Sequence, residues 1–207
     1  MLDFIKQLTD PQSIIHYGGL WLLLFVVFAE TGLFIGFFLP GDSLIFISGL
    51  LCATKPHLLN VSFVLLLCLL IIAAVLGNVI GYWFGYKTGD ALYTKKDSLL
   101  FKQSHLKTTK TFYENHGGKT LILGRFLPII RTFAPIVAGV IKVDFKLFMF
   151  YNLLGAIAWI TSIACIAYLL GKQFPQIENY IGYIVIGLIV ITTIPVIATY
   201  LKNRKIN

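Results

Sequence analysis

Apolar residues follow one another along this chain in runs that are long enough to cross a lipid bilayer as helices. Residues 61–86, 147–171 and 179–201 contain no charged side chain. Each run exceeds the roughly 20 residues that one transmembrane helix needs. The pattern therefore predicts three transmembrane helices and an all-α polytopic membrane protein.

Two further apolar runs do not fit a single straight helix. Residues 20–54 are too many for one span and barely enough for two, and the sequence "LPGDS" interrupts them. Residues 120–141 have a suitable length, but a span would put Lys119 and Lys142 on opposite faces of the membrane. A re-entrant hairpin keeps both lysines on the cytoplasmic face, as the positive-inside rule favours. Both runs are therefore predicted to be re-entrant helical hairpins, broken at Pro40, Gly41, Pro128 and Pro135.

The two predicted hairpins resemble each other. Each contains "FLP", and each has a glycine further on, Gly49 in the first and Gly139 in the second. Each is followed by one long helix, so two similar units inserted from opposite faces would form an inverted repeat, as in many secondary transporters. The basic loop at residues 87–119 and the basic C-terminus are then cytoplasmic. A C-terminal transmembrane helix completes a single membrane domain over residues 1–207.

Composition supports the membrane assignment and narrows the partners. The chain has 207 residues, of which 57% are hydrophobic and only 13% charged. Its net charge of +8 is concentrated between the apolar runs. This favours cytoplasmic loops and anionic lipid headgroups as partners, and it argues against nucleic acid. The histidines and cysteines have no metal-ligand spacing, so neither a metal nor another cofactor is expected. Self-association as a homo-oligomer is left open.

Two arginines lie in the second hairpin, within the sequence "GRFLPIIRTFAPIVAG". In one straight helix Arg125 and Arg131 would point about 240° apart. One would then face lipid, at a cost of roughly 2.5–3.5 kcal/mol. A break at Pro128 allows both side chains to turn toward one cavity. Since a guanidinium stays charged when buried and binds phosphate through two parallel hydrogen bonds, the pair is a candidate phosphate site.

Two carboxylates, Glu30 and Asp42, lie in the first hairpin. Each can be a counter-ion for an arginine, and the simplest interpretation is that these pairs hold the hairpins together. Each can also carry a proton, because burial raises the pKa of a carboxyl group while a nearby arginine lowers it. Asp42, in "PGDS", could in addition cap the N-terminus of a helix.

Four glycines follow one another at intervals of four residues near the end of the run 61–86 and just beyond it. They are Gly77, Gly81, Gly85 and Gly89. Residues at this spacing share one face of a helix, and small side chains there let another helix approach closely. We call these four residues the glycine face and expect it to pack against a neighbouring helix.

The motifs "ETG" and "FLPGDS", together with "GRFLPIIRTFAPIVAG", closely resemble the DedA family, also called the SNARE-associated or VTT-domain family. The resemblance covers nearly the whole chain. It implies that the family's two acidic residues correspond to Glu30 and Asp42, and its two arginines to Arg125 and Arg131. Many relatives carry an acidic residue near the position of Asn78. This chain lacks that acidic residue, so the resemblance does not imply an additional proton site on this helix.

The resemblance implies lipid translocation, since bacterial members are linked to proton-dependent return of undecaprenyl phosphate and eukaryotic relatives are phospholipid scramblases. We therefore expect a lipid transporter of the bacterial cytoplasmic membrane rather than an enzyme. Alternatives are an uncoupled glycerophospholipid scramblase, for example for phosphatidylethanolamine, and a lipid phosphatase. The hairpins contain no recognisable nucleophile arrangement for a phosphatase. A small-ion antiporter that uses only the carboxylates would leave both arginines unexplained.

Overall fold

The computed structural model describes residues 11–33, 39–94, 119–126 and 128–174, together with positions 176 and 187. The main helices are α1 (Pro11–Gly32), α2 (Gly41–Thr54), α3 (Pro56–Leu59), α4 (Phe63–Thr94), α5 (Lys119–Gly124), α6 (Pro128–Val140) and α7 (Phe145–Gln173). No strand occurs among these residues, which confirms the all-α prediction for the part described. The predicted span 179–201 lies outside them except for Gly187, as do the N-terminal ten residues and positions 95–118.

Two of the predicted transmembrane helices are present as long, apolar helices. Phe63–Gly89 within α4 and Phe145–Gln173 in α7 have 27 and 29 residues, enough to cross a bilayer. The helix α4 continues to Thr94, so the boundary predicted at Tyr86 is wrong and the first part of the predicted loop 87–119 is helical. The reason is that Lys87 and the residues after it include good helix formers, and a lysine can keep its charged end in a polar environment while its backbone remains helical.

Each predicted hairpin region contains two helices with an interruption between them. In the first, α1 is kinked at Gly19, whose φ of 54° lies in the region that favours glycine, and α2 begins directly after Pro40. In the second, α5 ends at Gly124 and α6 begins at Pro128, a favourable position for proline because the first N–H groups of a helix have no intrahelical partner.

Two local predictions in these regions are wrong. Pro135 does not break the hairpin, because α6 continues through it to Val140. Its ring is buried, and packing of this part of α6 against the glycine face of α4 maintains the helix despite the missing N–H group. Asp42 is not the N-cap of α2 either. Pro40 occupies that position, and Asp42 lies in the first turn, where the helix dipole favours a carboxylate.

The described residues belong to two compact units. The first comprises the described parts of Met1–Val26, Leu39–Leu70 and Ile160–Asn207. Within it, α2 packs closely on the C-terminal half of α7. A Cβ atom added to Gly49 would lie 2.6 Å from the carbonyl oxygen of Ala164. The rings of Phe63 and Tyr168 stack with their centroids 4.2 Å apart.

The second unit comprises the described parts of Val27–Phe38 and Ile71–Trp159. The glycine face of α4 packs here against two helices, as the four-residue spacing predicts. At one end, a Cβ on Gly32 of α1 would lie 2.5 Å from the carbonyl oxygen of Gly77. Further along, Gly85 contacts the backbone of Ile136 in α6, and Gly139 of α6 contacts the backbone of Tyr82. These backbone contacts fix α6 on α4 and thereby position the site.

We expect Gly85→Ala to destabilise the protein by several kcal/mol, because its new methyl group would overlap the carbonyl oxygen of Ile136. Gly81→Ala is the matched control, since its methyl group would lie 3.4 Å from the Ile136 side chain, at ordinary contact distance. That change should be neutral or stabilising by up to about 1 kcal/mol through helix propensity. Thermal unfolding of the two purified variants in detergent measures the difference, and equal midpoints would contradict the close packing at Gly85.

Candidate functional site

Glu30 lies near the C-terminal end of α1 and is almost completely buried. The next two residues of the "ETG" motif, Thr31 and Gly32, bring this end of α1 close to Gly77 of α4. The Thr31 hydroxyl donates to the carbonyl oxygen of Val27 at 3.0 Å, and Gly32 contacts Gly77. A carboxylate at the C-terminal end of a helix is opposed by the helix dipole and, when buried, by loss of water. Its position therefore requires a nearby cation.

Arg131 of α6 is that cation. A guanidinium nitrogen of Arg131 donates to a carboxylate oxygen of Glu30, and both side chains are less than 5% exposed. The face of the same guanidinium lies over the indole ring of Trp159, with Cζ 4.5 Å from the ring centroid. Because a buried cation is stabilised both by an ionic partner and by an aromatic face, Arg131 is held in one orientation.

Arg125 lies in the turn after α5 and is 2% exposed. One of its terminal nitrogens donates to the side-chain oxygen of Asn152 in α7. The side-chain amide of Asn78 in α4 contacts the side-chain oxygen of Asn152 at 2.8 Å. The donors and acceptors around Asn78 assign its amide the orientation in which the nitrogen donates to the carbonyl oxygen of Thr31 at 2.9 Å and the oxygen accepts from Arg125. The other terminal nitrogen, Nη1, makes no hydrogen bond with the residues that the structure describes.

Gly155 of α7 provides the space for the Arg125 side chain. A Cβ atom at this position would lie 2.8 Å from Cδ and 3.0 Å from Nε of Arg125. Any larger residue would therefore displace the arginine from its two amide partners. The same Cβ atom would lie 3.3 Å from Cα of Ile122, so Gly155 also allows α5 to approach α7 closely.

Both arginines border one small cavity in the second unit. Its lining comes from four segments and consists of Asn78, Leu121, Arg125, Arg131, Ala134, Pro135, Phe148 and Asn152. The space has room for about one water molecule, so this conformation is closed to any larger group. Among the described residues of the unit, the buried charged side chains are Glu30, Arg125 and Arg131. With Glu30 ionised, these three carry a net single positive charge.

The structure thus brings together three of the four charged residues that the sequence singles out. Asp42, with Pro40 and Gly41, belongs to the first unit, where it is half-buried in the first turn of α2. Pro135 lines the cavity instead of ending a helix. Among the described residues, no group of three histidine, cysteine, aspartate or glutamate side chains is placed to bind a metal ion.

The helix α7 contributes to the site in a way that the sequence did not predict. Asn152, Gly155 and Trp159 contact one or other arginine. They are spaced by three and four residues, which places them on one face of the helix. Asn152 could have indicated this from the sequence, because a buried amide in a membrane helix generally has a polar partner. Gly155 and Trp159 lie on the same face of the helix and would have marked that face as the one in contact with the site.

Comparison with known proteins places the chain among membrane proteins of one family. The profile of the VTT domain matches residues 24–169. Protein DedA of Escherichia coli (strain K12) is 35% identical over 209 aligned positions, which cover 99% of this chain and 94% of that protein. The inner membrane protein YqjA of the same strain is 32% identical over 172 positions, covering 82% of this chain and 74% of YqjA.

An uncharacterized membrane protein of Mycobacterium leprae is 36% identical over 185 positions, covering 89% of this chain and 81% of that protein. No solved structure matches the chain significantly.

Proposed function

The chain belongs to the VTT-domain (DedA) family of membrane proteins, and we propose that it is a transporter for a lipid phosphate. The proposed substrate is a polyprenyl phosphate such as undecaprenyl phosphate, moved across the bacterial cytoplasmic membrane. The observation that carries this proposal is the pair of buried arginines beside one cavity, with Glu30 as the single buried carboxylate in the described part of the unit.

The charge balance favours an anionic ligand. Burying a guanidinium without an ionic partner is costly in an apolar environment, and Arg125 has only neutral amides as partners among the described residues. A phosphate group supplies the missing negative charge and several acceptor oxygens, to which an arginine binds through parallel hydrogen bonds. The apolar tail of such a lipid can stay in the bilayer while only the headgroup enters the polar cavity.

The re-entrant hairpins are part of the proposal, because they would bring the headgroup site within reach of both leaflets. Support comes from a correspondence between the two units. In the first unit Gly49 of α2 contacts Ala164 of the long helix α7, and in the second Gly139 of α6 contacts Tyr82 of the long helix α4. In each case a glycine in the second helix of a hairpin lets that helix approach a long helix closely, as two related units of an inverted repeat would do.

Transport further requires that the cavity opens, since it now has room for about one water molecule. Opening toward one leaflet would admit the headgroup, and opening toward the other would release it. The described conformation corresponds to the closed state between these two steps. On this proposal the protein is a transporter and not an enzyme, because it forms no covalent bond with its substrate.

Glu30 and Asp42 are proposed to couple transport to protons. Arrival of a phosphate monoester adds between one and two negative charges near neutral pH. The second of these charges would repel the carboxylate of Glu30, and uptake of a proton removes that repulsion. Glu30 is the proposed principal carrier of this proton on account of its contact with Arg131, and Asp42 is the proposed second proton carrier.

The hairpin model predicts that Lys119 and Lys142 lie on the same, cytoplasmic side of the membrane. Each position is changed to cysteine in a protein whose Cys52, Cys68 and Cys165 have been replaced, and intact cells are exposed to an impermeant thiol reagent. Neither site should react until the membrane is made permeable. Reaction of position 142 from outside without reaction of position 119 would mean that residues 120–141 cross the membrane.

Arg131→Lys is expected to leave the protein folded and inserted but to lower transport by at least about tenfold. An ammonium cannot present the planar face that stacks on Trp159 while also binding a carboxylate or phosphate through parallel hydrogen bonds. Transport of a labelled polyprenyl phosphate into proteoliposomes is the measurement, and Arg204→Lys in the basic tail is the control. Undiminished transport by the Arg131→Lys variant would favour a purely structural ion pair.

Glu30→Gln tests the coupling. The neutral amide imitates the protonated carboxyl group and leaves both arginines uncompensated in the second unit, so binding of the phosphate lipid should persist or tighten. Transport should lose its response to an imposed pH gradient. Asp144→Asn is the matched control, because Asp144 is exposed and an asparagine can still cap α7 at this position.

If Glu30→Gln abolishes binding, or if transport still follows the pH gradient, Glu30 is only a structural counter-ion. An uncoupled phospholipid scramblase then becomes the better description. Competition between polyprenyl phosphate and phosphatidylethanolamine in the same proteoliposomes separates these two substrates.

A further inference from the structure

The two arginines of the cavity have partners of opposite kinds. Arg131 is paired with a carboxylate, that of Glu30, whereas Arg125 donates to the neutral amide oxygens of Asn78 and Asn152. An aspartate has almost the same shape as an asparagine, so a carboxylate would fit sterically at either position. An amide therefore differs from a carboxylate in its charge and in its N–H donor, and not in its size.

Both amides are oriented by bonds on their far side. The nitrogen of Asn152 donates to the carbonyl oxygen of Val75 at 3.3 Å, and that of Asn78 donates to the carbonyl oxygen of Thr31 at 2.9 Å. Because each nitrogen is directed at a backbone acceptor, each amide oxygen is turned toward Arg125. The two helices α4 and α7 thus present two acceptors to one guanidinium and fix its position without adding a negative charge.

A carboxylate in place of either amide would bind Arg125 more strongly but would cancel its charge. The site would then hold two cations and two anions, and it would have no net charge with which to attract an incoming anion. Hydrogen bonds from a charged donor to a neutral acceptor are stronger than bonds between two neutral groups, so they can still hold a buried side chain in place. Neutral acceptors are consequently suited to an arginine that must be held in place and yet remain able to attract a ligand.

We propose that Asn78 and Asn152 are positioning residues that hold Arg125 in place through their neutral oxygens, so that its charge is available to the phosphate of the transported lipid. The inference rests on the proposed function and extends it to the substrate's charge. With Glu30 ionised, the net single positive charge of the site matches a singly charged phosphate group. A second negative charge is accommodated only when Glu30 is neutral.

The test compares binding of a short-chain prenyl phosphate with binding of the corresponding prenyl alcohol by the full-length protein in detergent. Asn152→Asp should remain folded and should bind the prenyl phosphate at least about tenfold more weakly than the unaltered protein, because a buried carboxylate beside the ligand opposes it. Binding of the alcohol should not change. Asn60→Asp, which adds the same charge at an exposed position, is the control and should bind normally.

Thermal unfolding of each variant, measured on the same samples without ligand, distinguishes weak binding from loss of the fold. If Asn152→Asp does not fold, Asn78→Asp provides the same test on the other amide. An Asp variant that folds and binds the prenyl phosphate within about threefold of the unaltered protein overturns the inference, because the amides would then serve only as hydrogen-bonding scaffold.

The result for the unaltered protein separates this inference from the proposed function. If it binds the prenyl phosphate no better than the prenyl alcohol, the proposed function is wrong and the inference is overturned with it. If it prefers the phosphate and Asn152→Asp shares that preference, the proposed function stands and the charge argument for the amides is wrong.

Discussion

Two guanidinium charges buried within an apolar helical unit determine the arrangement of everything around them. Arg125 and Arg131 are buried away from bulk water, so they depend on contacts with side chains that the fold places around them. Three helices, α1, α4 and α7, provide these contacts through a carboxylate, an indole ring and two amides. A change in the packing of the second unit would therefore separate an arginine from its partners and leave its charge in an apolar environment.

The close contact of helix backbones makes such a small polar site possible. Where Gly85 and Gly139 meet the neighbouring backbone, α4 and α6 approach more closely than side chains would allow. This approach brings Arg131 on α6 and Asn78 on α4 to the border of one cavity. Gly155 has the opposite purpose, because its missing side chain leaves space for the stem of Arg125. Glycines in this unit thus bring backbones together at one place and leave space for a charged group at another.

The helices and part of the site could be predicted from the sequence, for physical reasons that differ between elements. The two described spans follow from uninterrupted apolar runs, and the packing of α4 follows from its four-residue glycine spacing. The unusual charges Glu30, Arg125 and Arg131 indicated the site because charged residues are rare inside membrane helices. The partners Asn152 and Trp159 could not be assigned to a particular arginine, since an amide or an indole in an apolar helix has many possible neighbours. The behaviour of Pro135 depends on tertiary contacts that no local pattern contains.

In the proposed transport cycle, the net charge of the empty site would make its movement sensitive to the membrane potential. A charge that moves across the full thickness of a membrane changes its free energy by about 2.3 kcal/mol per 100 mV. In the proposed cycle, the empty site carries one positive charge, whereas the site occupied by a singly charged phosphate is neutral. The membrane potential would then act on the return of the empty carrier and not on the loaded step. A transient current from substrate-free protein, suppressed when the ligand is added, is the electrical signature of this difference.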